Sequence, residues 1–205
     1  MLSKVVVDQL LYKAPPVAES LRLGRAKESD VVDKYVQTKR EDECLVSVQE
    51  TGLHVHVVHG FLAASPDRFV NDTSSEPSSG LLEVKYPVSV SGHPESGIIS
   101  GKSCLEKVDG IIRLNRGHNY FYQVQGQMAC TGRPWCDFAC MFSTGDIFIE
   151  RGWFDAGFWD GCFYKLRQFY DEFFCERISL STEAVNKVLY LLRFFFLFFS
   201  HLLFK

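Results

Sequence analysis

The first periodic stretch of the chain predicts a helix over residues 17 to 37. Val31, Val32 and Tyr35 follow Glu28 at intervals of three, four and seven residues, which places all four side chains on one stripe of a helix. Glu28 is therefore predicted to face inward, although acids are seldom buried without a partner. The alternative, a carboxylate that reaches solvent from the edge of the stripe, stays open at this point.

A strand is predicted in TGLHVHVVHGFL, residues 51 to 62, because apolar and polar residues alternate there. His54 and His56 share one face of this strand, and His59 falls on the other. Three histidines without a nearby cysteine are a weak basis for a zinc site. We therefore expect these histidines to serve the structure of the strand.

A second strand is predicted in GLLEVKYP, residues 80 to 87. Glu83 and Lys85 lie two residues apart and share one face, whereas the apolar side chains between them fill the opposite, core-facing side. Upstream, Ser65-Pro66 should end regular pairing and present Asp67 at a bend. Two interpretations of Glu83 and Lys85 follow: a surface ion pair of small energetic value, or half of a metal-dependent active site.

The second half of the chain alternates between connections, helices and a hairpin. A long connection is predicted over residues 88 to 117, with an ordered piece near Ile111 to Leu114. The stretch 118 to 132 is predicted as a helix with Gly132 past its end. A hairpin of Trp135 to Phe142 and Ile147 to Glu150 and an amphipathic helix from Asp155 to Cys175 follow. A last apolar stretch, residues 188 to 204, is interrupted by Arg193 and His201. It is short of the about 20 residues of a spanning helix, so a membrane segment is disfavoured but stays open beside a packed helix and an aberrant end.

Composition narrows the class of protein without naming a function. The chain has 205 residues, 46% of them hydrophobic and 18 of them Phe, which favours one packed domain over disorder. The net charge of -3 gives no overall basicity, so any surface for nucleic acid must be local. Seven scattered Cys and no secretory signal pattern predict an intracellular protein, in which Cys130, Cys136 and Cys140 act as small buried hydrophobic residues.

The acids around the second predicted strand suit phosphodiester chemistry. Mg²⁺ accepts a small number of oxygen ligands from a protein and keeps several waters. Asp67, Glu83 and the carbonyl of Val84, the residue before Lys85, would supply such ligands. A divalent cation would neutralise the developing charge on a phosphate and lower the pKa of an attacking water. Lys85 could orient that water or help to deprotonate it.

Four segments together resemble the YqaJ-type viral recombinase domain, a λ-exonuclease-like group of the PD-(D/E)XK nucleases. They are GRAKESDVVDKY at 24 to 35, AASPD at 63 to 67, LLEVKYP at 81 to 87 and HNYFYQVQGQMACTGRPWCDFACM at 118 to 141. The resemblance covers residues 20 to 178. Tyr86 departs from it, since the family more often has Cys there, and few residues precede the first motif.

The resemblance implies an α/β fold of restriction-endonuclease type, in which helices flank a mixed central sheet. It divides the chain into an N-terminal segment (1–19), a YqaJ-like nuclease domain (20–180) and a hydrophobic tail of uncertain role (181–205). The implied activity is Mg²⁺- or Mn²⁺-dependent hydrolysis of DNA in recombination, repair or mobile-element processing, as a 5′-to-3′ exonuclease on linear duplexes. Family relatives form rings around DNA, so a homo-oligomer is compatible with the resemblance.

Residue by residue, the resemblance assigns catalytic roles to Glu28, Asp67, Glu83, Lys85 and Gln123, with metal binding by Asp67, Glu83 and the Val84 carbonyl. A second set is predicted to contact the DNA backbone: Arg25, Arg116, Gln125, Gln127 and Arg133, with Lys102 and Arg113 as further candidates for a basic rim. The competing function is a catalytically inactive DNA-binding or interaction module on the same fold. All five catalytic positions hold functional residue types, which favours the enzyme.

Overall fold

The computed structural model describes residues 19–87, 95, 98 and 103–174 of the chain. The helices with described bounds are α1 (Glu19–Glu41), α2 (Asn119–Thr131) and α3 (Ala156–Phe169), which is followed by a π-helical turn (Tyr170–Phe174). The strands are β1 (Val46–Glu50), β2 (His54–Val55), β3 (Ala63–Ala64), β4 (Arg68–Asp72), β5 (Ser79–Lys85), β6 (Leu105–Val108), β7 (Ile111–Leu114), β8 (Trp135–Met141) and β9 (Ile147–Trp153).

Five of these strands form a mixed sheet in the order β1-β4-β5-β8-β9. β5 and β8 pair in parallel, and the other neighbours pair antiparallel. The parallel pair is possible because the chain between β5 and β8 includes the β6-β7 hairpin and α2, long enough for a crossover. A mixed central sheet flanked by helices is the predicted fold class, which is confirmed.

Each face of the sheet is covered by one helix, and β5 contributes to both faces. On one face, Val31, Val32 and Tyr35 of α1 pack with Leu82 and Val84. The opposite face packs against α2 in a cluster of apolar residues: Leu81, Phe121, Val124, Met128, Cys136, Phe138 and Cys140. β5 is thus a central strand, with its even-numbered side chains toward α1 and its odd-numbered side chains toward α2.

A network of charged groups fixes α1 to the far side of the sheet. The Tyr35 hydroxyl donates to Oδ2 of Asp137 on β8 at 2.7 Å, and the Arg151 guanidinium donates to both carboxylate oxygens of Asp137 at 2.8 and 2.9 Å. Arg151 also donates to Asp72 of β4 at 2.8 Å. Asp137 is fully buried, and both of its carboxylate oxygens accept hydrogen bonds. Displacement of α1 would break one of these bonds inside the protein, so the network opposes it.

Most of the predicted elements match the structure. α2 runs from residue 119 to 131, and Gly132 lies past its end, as predicted, in the left-handed conformation. His118, which was predicted inside the helix, is its N-cap. The β8-β9 hairpin and the ordered piece at Ile111 to Leu114 are confirmed as well. The first helix continues four residues beyond its predicted end, and the predicted end of the last helix, Cys175, lies outside the described residues.

The strand predicted over residues 51 to 62 is wrong. Only His54 and Val55 are extended, in a short pairing with Ala63 and Ala64, and the chain between them turns back. His56 Nδ1 accepts the backbone N–H groups of Val58 and His59 at 3.1 Å in that turn. Val57 is 94% exposed, so the alternation of apolar residues there does not reflect a buried face.

Gly80 is a position where the fold tolerates no side chain. A Cβ at this residue would lie 2.2 Å from the Trp135 ring, which is fully buried. That ring cannot withdraw easily, since its Nε1 donates to the Pro77 carbonyl at 2.7 Å and the Arg151 guanidinium stacks on its face at 3.6 Å.

We expect Gly80→Ala to lower the free energy of unfolding by about 3 kcal/mol, because overpacking of a rigid core forces neighbours out of their positions. Urea denaturation at equilibrium measures the loss. Gly161→Ala is the matched control, since a Cβ there meets no atom within 4 Å and α3 gains a better helix former. Equal stabilities of the two variants would contradict the packing explanation.

The hydrophobic tail predicted over residues 181 to 205 lies outside the described residues, as does the N-terminal segment before residue 19. In the ranges that are described, none of the helices combines the length and apolar character needed to cross a membrane.

Candidate active site

Glu83 lies at the centre of the candidate site, inside the domain. It is 1% exposed and points from β5 toward α2, on the same side as Lys85. Since Glu83 is buried, the surface ion pair that the sequence left open is excluded. A carboxylate at this depth must be fully hydrogen-bonded.

Three donors satisfy the Glu83 carboxylate. Gln123 Nε2 donates to Oε1 and Gln127 Nε2 donates to Oε2, both at 2.7 Å, and Lys85 Nζ also donates to Oε1. The two glutamines are one turn apart on α2, and this spacing lets both amides reach the same carboxylate. The carboxylate is thereby held in one orientation.

Asp67 lies beside Glu83 at the beginning of β4. The antiparallel register pairs Arg68 with Leu82, so that the preceding residue, Asp67, comes opposite Glu83. Asp67 Oδ2 accepts the Val84 backbone N–H at 2.7 Å. Burial and the nearby Glu83 charge raise the pKa of Asp67 to about 8, although Lys85 and the Val84 N–H act in the opposite direction.

Lys85 carries a positive charge in this arrangement. Burial by itself would lower its pKa, but the charges of Glu83 and Asp67 outweigh that effect and the pKa lies above its usual range. Its ammonium lies 4.9 Å from the centroid of the Tyr120 ring on α2. In this state Lys85 can hold and orient an oxygen atom, but it has no free lone pair with which to accept a proton.

Glu28 reaches the same end of the sheet from α1, and its partner is Arg68. Arg68 Nη1 donates to Glu28 Oε1 at 2.9 Å and to the Asp67 carbonyl oxygen at 2.6 Å. The Glu28 side chain is 34% exposed, so it lies at the edge of the apolar stripe, and its charge acts on Asp67. Arg68 was not among the predicted site residues, and its place directly after Asp67 was the one local signal that could have indicated it.

The donor set fits a hard divalent cation. Asp67 and Glu83 supply two neighbouring carboxylates, and the Val84 carbonyl should point to the Asp67 side, since the N–H and C=O of a strand residue project to the same edge. The Oε1 atoms of Gln123 and Gln127 are buried beside Glu83, and no donor within the described part of the chain binds them. Waters on a hydrated cation could donate to such oxygens.

The residues predicted to contact DNA do not form one surface. Gln127 binds Glu83 and belongs to the site itself. Gln125 is 1% exposed, and both its amide atoms bind the backbone, at the Trp153 carbonyl and the Asp155 N–H, so its position does not support a DNA contact. Its role is to tie α2 to the end of β9.

The predicted arginines are spread over several elements. Arg25 is exposed on α1, Arg116 pairs with Glu150 at 2.6 Å, and Arg133 Nη1 donates to the Ser79 hydroxyl at 2.5 Å. Of the two further candidates, Arg113 pairs with Glu106, and Lys102 lies outside the described residues. DNA contacts by these residues remain a prediction.

The other groups singled out in the sequence contribute to structure. His56 and His59 lie in the turn before β3 with their ring centroids 5.0 Å apart, and the His59 ring packs on Phe163 of α3. Cys130, Cys136 and Cys140 are free and buried, as predicted.

Proton binding by Asp67 gives a test of this geometry that needs no substrate. Because its pKa is about 8 in the folded protein and 3.8 in an ordinary carboxyl, the folded state holds the proton more tightly. The stabilisation is complete below pH 4 and is lost as pH rises through 8. We expect the stability of the wild type, relative to Asp67→Asn, to fall between pH 5 and pH 9 in chelator.

Urea denaturation of both proteins at several pH values measures this difference. Asn keeps an oxygen that accepts the Val84 N–H, so the comparison isolates the charge. Asp146→Asn, in the exposed turn before β9, is the control. A constant difference between wild type and Asp67→Asn would contradict the raised pKa.

The fold is shared with a class of solved enzymes. Two structures of an alkaline exonuclease from Laribacter hongkongensis, LHK-Exo, superpose with TM-scores of 0.59 and 0.60, the second in complex with dAMP. Each match has 25% sequence identity and covers 90% of this chain and 84% of the other.

The family model of the YqaJ-like viral recombinase domain matches residues 4–134. The chain belongs to this family. It is also 32% identical over 149 residues to an uncharacterized protein of Acanthamoeba polyphaga mimivirus. The matched region covers 65% of this chain and 25% of the viral protein. The chain thus matches about a quarter of the length of this curated relative.

Proposed function

We propose that the protein is a divalent-metal-dependent deoxyribonuclease that degrades linear duplex DNA from the 5′ end. The observation that carries the proposal is the buried Glu83 carboxylate, which is fixed by Gln123, Gln127 and Lys85 beside the Asp67 carboxylate. Two buried acids side by side, one of which, Asp67, has a strongly raised pKa, are costly to assemble, and such costs are typical of catalytic sites.

The similar solved proteins support the same activity. LHK-Exo is described as an alkaline exonuclease, and the family model of the YqaJ-like viral recombinase domain covers residues 4–134, which include all the acids of the site.

Asp67 and Glu83 would hold Mg²⁺ or Mn²⁺, together with the Val84 carbonyl. When bound, the cation supplies charge neutralisation at the scissile phosphate and lowers the pKa of the attacking water. Gln123 and Gln127 keep Glu83 in the orientation that binding requires. Lys85 places a positive charge beside the same carboxylate, where it can orient the water and stabilise charge on the phosphate. Glu28 adds negative charge at the mouth of the site.

The decisive experiment incubates purified protein with linear and with covalently closed circular duplex DNA, in Mg²⁺ or in chelator. We expect loss of linear DNA only, in Mg²⁺ only, and release of nucleotides from a 5′ label before a 3′ label. Glu83→Ala and Lys85→Ala should abolish the loss, whereas Gly161→Ala, on α3, should retain it.

Three results would overturn parts of the proposal. Cleavage of the closed circle would indicate an endonuclease, and early release of the 3′ label would reverse the direction. Duplex binding without hydrolysis in either Mg²⁺ or Mn²⁺ would show that the chain is a DNA-binding module.

Family relatives form rings around DNA, so we also propose a homo-oligomer, which light scattering with and without DNA would detect.

A further inference from the structure

Arg68 is a cation of the candidate site that the mechanism above does not use. Its side chain is 16% exposed and lies between the Glu28 carboxylate and the Asp67 backbone. Nη1 makes both contacts, at 2.9 and 2.6 Å, which accounts for its two N–H groups. The guanidinium is therefore held from one corner only.

The opposite edge of the guanidinium carries three further N–H groups, on Nε and Nη2. These atoms have no hydrogen-bond partner among the described residues, and they are not buried. The Nε and Nη2 edge is the fork that binds two oxygens of a phosphate or carboxylate in parallel. Arg68 thus presents an anion-binding edge in a fixed orientation.

The charges around Arg68 indicate which anion would bind there. The Glu28 and Glu83 carboxylates disfavour the approach of a free carboxylate, and Lys85 is already engaged by Glu83 on the other face of the sheet. A phosphate of a polyanionic strand differs from a free carboxylate. The electrostatic cost of approaching the acids is shared among many phosphates, and each contact with a cationic residue releases counterions. Arg68 is bonded to the Glu28 carboxylate and to the Asp67 carbonyl oxygen, so a phosphate on its free edge would be held at the end of the sheet where these two residues lie.

We infer that Arg68 is the phosphate-binding residue that places the DNA strand in the site, and that Glu28 orients its guanidinium for this contact. The inference rests on the proposed nuclease function. The phosphate is either the terminal 5′-phosphate or a phosphodiester of the strand near the site, and both have the chemistry that the free edge recognises.

The test measures binding of a fluorescent DNA duplex by anisotropy in chelator, where no hydrolysis interferes, over a series of salt concentrations. Arg68→Ala should weaken binding about tenfold or more and lower the slope of log affinity against log salt by about one. Arg68→Lys keeps the charge but loses the fork, so it should retain the slope and still bind more weakly than wild type. Arg167→Ala is the control, since it removes an exposed arginine paired with Asp171 on α3.

Duplexes with a 5′-phosphate or a 5′-hydroxyl distinguish the two sources. If the wild type prefers the 5′-phosphate and Arg68→Ala does not, the contact is terminal; if the variant loses affinity equally for both, the contact is a phosphodiester. Either result supports the inference. Thermal unfolding of each variant, with Arg68→Lys as the milder change, separates loss of contact from loss of fold.

A purely structural role for Arg68 would overturn the inference. In that case Arg68→Ala would bind Mn²⁺ more weakly in calorimetry while its DNA affinity and salt slope stayed at the wild-type values. Failure of the proposed nuclease function is distinguishable, because it would appear as absence of hydrolysis by the wild type, whereas the anisotropy of Arg68 variants does not depend on hydrolysis.

Discussion

Glu83→Gln is expected to lower the rate of DNA hydrolysis by about 1000-fold while the protein stays folded. The change keeps the size of the side chain but removes the charge on which cation binding depends, a loss of several kcal/mol in transition-state stabilisation. It also turns one acceptor oxygen into an N–H donor opposite the Gln123 and Gln127 amides, which already donate. Rates on linear duplex in saturating Mg²⁺ and Mn²⁺ affinity by calorimetry measure the two effects.

The double variant Glu83→Gln with Gln127→Glu is the control for folding. It returns an acceptor to the pair of residues and so should recover most of the stability lost in Glu83→Gln. Activity should stay low, because the carboxylate now comes from α2 and no longer from β5. A Glu83→Gln protein that retains more than a tenth of the wild-type rate would remove Glu83 from the proposed mechanism.

The second large effect is expected for Lys85→Met, which should cost about 3 kcal/mol in stability and at least about 100-fold in rate. Removal of one partner leaves the charge of Glu83 buried without its cation, and such losses are among the largest that single substitutions cause. Urea denaturation in chelator and the DNA assay measure these two quantities.

Addition of Mg²⁺ gives this prediction a specific signature. A bound cation replaces the missing charge beside Glu83 and Asp67, so Mg²⁺ should stabilise Lys85→Met more than it stabilises the wild type. Lys107→Met, which removes an exposed lysine that pairs with Glu95, should show no such difference. Equal stabilisation of Lys85→Met and the wild type would mean that Lys85 and the cation do not share a site.

Structural features that depend on neighbouring residues could be predicted from the sequence, whereas features that depend on residues far apart in the chain could not. α2 and β5 were predicted within one or two residues, because a cap, a left-handed Gly132 and the alternation around Glu83 are local signals. The turn after His54 was missed, since exposed Val57 produces the same alternation as a buried strand. β1 and β4 were missed because their five-residue sequences acquire a buried face only through the pairing of β1 with β4, the pairing of β4 with β5 and the cover by α1.

The candidate site shows the same division. The shared face of Gln123 and Gln127 follows from helical spacing, and the meeting of both with Glu83 requires the sheet to be in place. Gln125 has the same residue type in the same helix, yet it binds the end of β9. Arg68 escaped notice because its partner Glu28 is forty residues away in sequence, and only the folded chain brings them together.

The anchor of α1 determines when this site can exist during synthesis of the chain. Tyr35 binds a residue 102 positions later, and Arg151, which completes the network, reaches back 79 positions to Asp72. When synthesis has just passed Lys85, the nascent chain therefore contains the three acids and the lysine of the site. It does not yet contain β8, to which the helix that carries Glu28 is bonded. Contacts of such long range form late in folding. The candidate active site should consequently stay unassembled until β9 has left the ribosome.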